Sequence, residues 1–238
     1  MKKVWVIGAN SDVAKELMLQ MNGKYRIIAA SRNFCAVQDF IKEKKIVRAM
    51  AVDLDVCNRD SLETFLSSAV RPDIVVFCQG MLRAGGNAED YLDEMVQCNY
   101  VACIKIIERV WKGMADRGMG CIAGITSVAA DRGKMSNKLY SSTKAAFSSY
   151  LQALMQEGEK NGVQVIDIKP GYIRSKMLKD NRRAYTSVLA VEPPKAAADI
   201  LQKIESGRSG TVYTKKIWRF IMWVLKLAPE RIYNKMSL

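Results

Sequence analysis

Short apolar runs recur along the chain at 3–7, 25–30, 46–52, 73–78, 120–126, 163–168 and 211–213. Between them lie stretches with helical periodicity, at 12–22, 34–44, 59–69, 89–117, 138–160 and 193–206. Most of the runs are apolar without alternation, the pattern of strands covered by helices on both faces. Repeated strand–helix units of this length predict an α/β fold with a doubly wound, mainly parallel sheet. No repeat, low-complexity tract or linker divides the chain. The reading is one domain over 1–214, followed by a helical segment over 215–238.

Composition narrows the chemistry. The 238 residues contain no histidine, which removes Ser-His-Asp triads, histidine bases and histidine-ligated metals. The cysteines at 35, 57, 78, 98, 103 and 121 show no Cys-x-x-Cys spacing, so no metal site is expected. Their apolar surroundings predict buried free thiols in a reducing compartment. No secretory leader is expected ahead of the first strand, and no stretch approaches the roughly 20 apolar residues that span a bilayer. A cytoplasmic protein is expected. The net charge is +13 and unevenly placed. Residues 169–183 hold six cations against Asp180, and 215–238 hold six against Glu230, a net +5 in each. Such clustering points to an anionic ligand or surface; without a recognisable binding module it does not point to nucleic acid.

The candidate chemistry centres on Tyr140-Ser-Ser-Thr-Lys144. Residues four apart share one helix face, where the ammonium can favour the phenolate as an acid/base group. Ser127 precedes this pair, and Asn99 precedes Ser127. After the first strand, Gly8-Ala-Asn-Ser-Asp12-Val-Ala14 turns into a helix N-terminus, a natural anion site. A dinucleotide fingerprint wants three glycines; only Gly8 remains, with Asp12 and Ala14 at the other two places. The Asp12 carboxylate either faces a pyrophosphate or points outward to help Ser11 cap the helix. Ser31-Arg32 ends the second strand where an NAD site usually carries an acid, so it suits a 2′-phosphate. Asp53 can accept from an adenine amino group, and Gly80 can admit close backbone approach.

In this order and spacing, Gly8, Asp53, Gly80, Asn99, Ser127, Tyr140, Lys144 and Pro170-Gly171 resemble the short-chain dehydrogenase/reductase family over residues 1 to about 214. The resemblance implies a seven-stranded sheet of order 3-2-1-4-5-6-7 and hydride transfer between a nicotinamide cofactor and a carbonyl or alcohol. It implies Tyr140 as general acid/base, Lys144 lowering its pKa and holding the nicotinamide ribose, and Ser127 orienting the substrate oxygen. Asn99 would hold a water relaying protons from Lys144. Cofactor contacts are expected from Gly8, Asn10, Ser11, Asp12, Val13, Ser31, Arg32, Asp53, Leu54, Gly80, Tyr140 and Lys144, and from Pro170, Gly171, Ile173 and Ser175 in the loop over the nicotinamide. NADP(H) is expected over NAD(H). The chain departs from the family at Phe77-Cys-Gln-Gly80, where Asn-Asn-Ala-Gly is usual, and in the two missing glycines.

The segment after Gly171 corresponds to the family's variable lid. Its Arg174, Lys176, Lys179, Arg182 and Arg183 predict an anionic substrate, for which a phosphorylated compound is one candidate. In the tail, Lys215, Lys216, Arg219 and Lys226 share one arc of a helical wheel and apolar side chains fill the rest. This fits an interfacial helix making peripheral contact with the inner face of a membrane; packing on the protein's own core or a subunit interface is the other reading. The tail also has a weak resemblance to family members that reduce keto sugars on polyprenyl-phosphate lipids. The leading expectation is an NADPH-dependent ketoreductase for an anionic or lipid-linked carbonyl, assembled as a dimer or tetramer. The alternatives are a soluble reductase of small carbonyls or acyl-thioester ketones and, in another class, a non-catalytic NAD(P)-sensing regulator.

Overall fold

A computed structural model describes residues 1–68, 70–83 and 85–235. Residue 69, at the end of the expected third helix, and 236–238 of the expected tail lie outside the described residues. Seven strands form one sheet: β1 (Lys3–Ile7), β2 (Arg26–Ser31), β3 (Ala49–Asp53), β4 (Ile74–Phe77), β5 (Gly120–Ile125), β6 (Val163–Lys169) and β7 (Gly210–Tyr213). Their order is β3-β2-β1-β4-β5-β6-β7, as expected, and every neighbouring pair is parallel.

The reason the runs read as uniformly apolar is visible in β1. Val4 and Val6 enter one core layer, while Trp5 and Ile7 enter the other. Both faces are covered, so the two-residue period of a strand leaves no polar face. The first layer is closed by α1 (Asp12–Met21), α2 (Phe34–Glu43) and α8 (Pro193–Glu205). The second is closed by α3 (Arg59–Ser68), α5 (Ala102–Ala115) and α6 (Lys138–Asn161). In that layer Phe77 meets Phe147 edge to face, 5.8 Å between ring centroids.

Two expectations need correcting. The third strand starts at Ala49, not at 46, because Lys45 and Arg48 hold φ of 49° and 59°. An extended strand has no place for that left-handed turn. The long helix expected over 89–117 is also divided. A 3-10 turn (Ala88–Tyr91) leads to α4 (Leu92–Val96), then a π turn (Gln97–Val101), then α5. Asn99 sits inside the π turn, and π turns often mark functional positions.

Beyond the sheet lie α7 (Arg182–Tyr185), α9 (Ile217–Leu227) and α10 (Glu230–Tyr233). No helix among the described residues is long and apolar enough to cross a membrane.

Candidate active site

A parallel sheet presents its ligand crevice at the carboxyl ends of its strands, where the strand order reverses. Here that point lies between β1 and β4, and a cavity of about 1230 Å³ opens there. Gly8, Ser31, Leu54, Cys78, Ser127 and Pro170, which end or follow six of the strands, all line it.

Gly8 is required by its surroundings. Its φ is +81°, and a side chain there would meet the Gln79 backbone N at 2.5 Å. The turn is drawn inward because the amides of Gly8 and Ala9 both donate to Ala30 O, at 2.9 and 3.0 Å. Ser11 then caps α1, its Oγ accepting from Ala14 N at 3.2 Å. Asn10, Ser11, Asp12 and Val13 line the cavity. Asp12 takes neither orientation left open for it: it lines the cavity but is turned to the lid. Its Oδ2 accepts from the backbone N of Lys176 at 2.7 Å, which ties the segment after Gly171 to the start of α1.

At the other end of this half, Ser31 and Arg32 line the cavity, and Arg32 shares Glu94 with Arg83 at 3.6 and 3.5 Å. Asp53 differs from expectation. It is the exposed last residue of β3, and the wall beside it is built from Leu54, Asp55 and Val56.

Tyr140 and Lys144 follow one another on α6 and both line the cavity with Ser127. Lys144 is 3% exposed, and its Nζ donates to Ile125 O at 2.9 Å. Gly80 faces this ammonium: a Cβ at that position would lie 3.4 Å from Nζ. Ser127 Oγ accepts from Ala129 N at 3.1 Å, and Val128 N donates to Pro170 O at 3.0 Å. The Ser127 turn is thus joined to the Pro170-Gly171 segment.

Asn99 is fully buried and faces protein groups rather than the open cavity. Its Oδ1 accepts from Met81 N at 2.8 Å, and its Nδ2 donates to Met81 O at 2.9 Å and Thr143 Oγ1 at 3.1 Å. With both amide hydrogens committed, the side chain holds the loop after β4 against α6, beside Lys144.

The basic lid is also corrected in part. Lys176 and Arg183 line the cavity; Arg174, Lys179 and Arg182 do not. Arg174 is consumed in folding the lid, since it pairs with Glu192 at 2.7 Å and donates to Tyr185 O and Ser187 O. Lys134, which the sequence did not single out, takes part in the wall. Its pKa is lowered by burial and by the positive charge of Arg183.

Two further features escaped the sequence reading. The first is the thiols. Cys35 is exposed rather than buried, and Cys57 and Cys98 are half-buried in the cavity wall. The Cys57 hydrogen bond holds the Cys98 thiol below its ordinary value, while Cys57 itself is held well above. The second is a wall built by the far end of the chain. Trp218, Ile221, Met222, Leu225 and Tyr233 line the cavity opposite the strand ends. Trp218 stands edge-on to Tyr172, with centroids 5.3 Å apart, and packs on Gly171 so closely that a Cβ there would lie 2.0 Å from its Nε1.

This wall is fastened behind the Ser127 turn. Asp131 accepts from Lys169 and from Tyr213 at 2.7 Å each, and pairs with Lys226 of α9 at 2.7 Å. Lys169 also lies 3.5 Å from Asp167, which is fully buried and bonded to Thr126 at 2.5 Å and Ser148 at 2.6 Å. Burial pushes the Asp131 carboxyl up, but the hydrogen bonds from Lys169, Lys226 and Tyr213 outweigh it and hold the group below its ordinary value. Arg132 caps the end of α9 through Leu225 O and Ala228 O and lies over the Tyr233 ring, 4.0 Å from its centroid.

A dinucleotide can be tested against this cavity. Asn10 Oδ1, Gln79 Oε1 and Asn137 Oδ1 are buried acceptors without a partner among the described residues, and all three residues line it. Buried acceptors need donors, and ribose hydroxyls and a carboxamide would supply them. The capped start of α1 is suited to a pyrophosphate. The residues present therefore fit a nicotinamide dinucleotide.

Comparison with known proteins agrees with this geometry. Acetoacetyl-CoA reductase of Allochromatium vinosum is 34% identical over 108 residues, a stretch covering 44% of this chain and 44% of that protein. The chain thus matches less than half the length of that relative. Ketoacyl reductase HetN of Nostoc sp. is 25% identical over 204 residues, covering 79% of this chain and 71% of that protein. Among solved structures, a short-chain dehydrogenase from Sphingobium yanoikuyae in complex with NADPH superposes with a TM-score of 0.84, covering 99% of this chain and 96% of that one at 17% identity. The family profile described as short chain dehydrogenase matches residues 2–186, and the chain belongs to that family.

Proposed function

We propose that the protein is an NADP(H)-dependent ketoreductase. The observation that carries this reading is the meeting of Ser127, Tyr140 and Lys144 in one cavity with the Gly8 turn. When bound, the cofactor supplies a hydride to the carbonyl carbon of the substrate. Tyr140 gives the proton that completes the alcohol, and Ser127 donates a hydrogen bond to the same oxygen. Lys144 is fixed through Ile125 O, so its charge stays one helical turn from Tyr140. Asn99 acts as a positioning residue through Met81 and Thr143.

Asn10, Ser11, Val13, Leu54, Gly80, Pro170, Gly171, Ile173 and Ser175 are the proposed cofactor contacts, and all line the cavity. Arg32, with Ser31 and the neighbouring Arg83, supports NADP over NAD, because two guanidinium groups offer donors to a 2′-phosphate.

For the substrate, the apolar wall of Trp218, Ile221, Met222 and Leu225 suits an acyl or prenyl chain. Lys134 and Arg183 in the same cavity suit an anionic head. A β-ketoacyl thioester meets both demands and fits the names of the two relatives. A lipid-linked ketone is the second reading, favoured by the exposed apolar side of α9. A cytoplasmic homo-oligomer with peripheral membrane contact completes the proposal. The test is NADPH-dependent reduction of acetoacetyl-CoA and a longer β-ketoacyl thioester by the wild-type protein. Turnover in wild type with loss in Tyr140→Phe is expected. Equal turnover in both would overturn the assignment.

A further inference from the structure

Helix α9 has three sides. At about 100° per residue, Trp218, Ile221, Met222 and Leu225 occupy one arc, and this is the side that walls the cavity. Arg219 and Lys226 occupy a narrow strip beside it. The remaining arc carries Ile217, Phe220, Trp223, Val224 and Leu227. Phe220 is 61% exposed, Trp223 58% and Leu227 64%, and Phe220 and Trp223 lie together with centroids 6.2 Å apart. Ile232 on α10 is likewise exposed. Single exposed apolar residues are ordinary; five on one helix face, joined by a sixth nearby, mark a surface that meets something.

The cations decide what that is. Lys216, Arg219, Arg231 and Lys235 are exposed in the same segment, with Glu230 its single acid. A two-fold contact with a second copy sets the patch against itself, which would bring these cations together. An anionic lipid surface instead offers them counter-charge, while the indole of Trp223 suits headgroup depth. As a helix of 11 residues, α9 is about 16 Å long, suited to lying in the interface rather than crossing it. Its orientation is also fixed, by Lys226 on Asp131 and Arg132 on the helix end. The outer side is therefore presented as a rigid face.

We propose that the outer side of α9, with Ile232, docks on an anionic lipid surface, and that the same helix walls the substrate cavity so that an amphiphilic ketone reaches it from that surface. The second half rests on the ketoreductase reading; docking does not. Trp5, Trp111 and Trp218 are buried, so Trp223 is the exposed tryptophan of the four and a built-in probe.

The experiment is sedimentation of the full chain with phosphatidylcholine vesicles, with and without phosphatidylglycerol, together with tryptophan quenching by brominated lipid. Wild type should favour the anionic vesicles and be quenched. Phe220→Ser/Trp223→Ser should bind them roughly tenfold or more weakly. The double variant should keep wild-type NADPH affinity, which verifies its fold. Anionic vesicles should lower KM for a long-chain β-ketoacyl thioester in wild type only. Equal partitioning onto both vesicle types, or unchanged binding by the variant, would overturn docking. So would a variant that converts a dimer to a monomer when wild type ignores vesicles, since the face would then belong to a second copy. Intact docking with no reduction of any ketone would support the docking face and sink the ketoreductase reading. Reduction that vesicles leave unchanged would sink the coupling.

Discussion

The two walls of the cavity are made by opposite means. The strand-end wall is local: each turn follows its own strand, and hydrogen bonds such as Gly8 N to Ala30 O fix it to the sheet. The wall opposite is long-range. It consists of α9 and α10, which reach the site through Trp218 on Gly171 and Lys226 on Asp131. The first carries Ser127, Tyr140, Lys144 and the Gly8 turn. The second adds the apolar side chains of Trp218, Ile221, Met222 and Leu225. On the proposed function, chemistry and substrate choice are separated in the chain, so each should yield to its own substitution.

Removing the acid/base hydroxyl should have the largest effect. Tyr140→Phe should lower kcat by about 10²–10⁴-fold, with NADPH affinity kept, as measured by stopped-flow turnover and fluorescence titration. Asp131→Asn attacks the joint between the two walls. It leaves Lys169 and Lys226 without their shared carboxylate, and stability should fall by about 3 kcal/mol in denaturant titration. The pH dependence has a definite sign. The folded Asp131 carboxyl titrates below its ordinary value, so its contribution is present above that ordinary value and lost as pH falls through the folded one. The gap between wild type and variant should accordingly close on acidification.

Gly171→Ala strikes the point where the second wall rests on the first. A Cβ there forces Trp218 away, at about 1–3 kcal/mol for overpacking. KM for a long β-ketoacyl thioester should rise more than KM for a small ketone. Equal rises would mean that α9 does not select substrate. Arg32→Gln tests the first wall at its exposed edge. NADPH should lose roughly fivefold in affinity relative to NADH, the smallest change of the four, measured by parallel titrations.

The same contrast explains what could be read in the sequence. The strand order, Ser127, Tyr140, Lys144 and the Gly8 turn were legible because each depends on a spacing within one strand–helix unit. Asp12 was legible as an oddity but not as a lid tie, since Lys176 is brought to it by the fold. Lys134, Asp131 and Trp218 were not legible as site residues. Their partners lie far along the chain, and nothing local distinguishes a lysine that faces a cavity from one on the surface. Arg174 and Arg183 looked alike in the basic run. Only the lid's backbone shows that one is spent on Glu192 while the other faces the cavity. Asp53 stands just outside the wall for a simpler reason: it is the last residue of the strand, and the wall begins at the next.

The Arg132 clasp on α9 joins positions 93 residues apart. Contacts of such separation form slowly, after local ones. On a ribosome, the Gly8 turn and the Tyr140 helix emerge long before the helix that Arg132 grips. Until that helix has emerged and docked, Trp218 and Met222 lack the neighbours that bury them in the folded chain. A chaperone that shelters exposed apolar surface would have most to do during that interval.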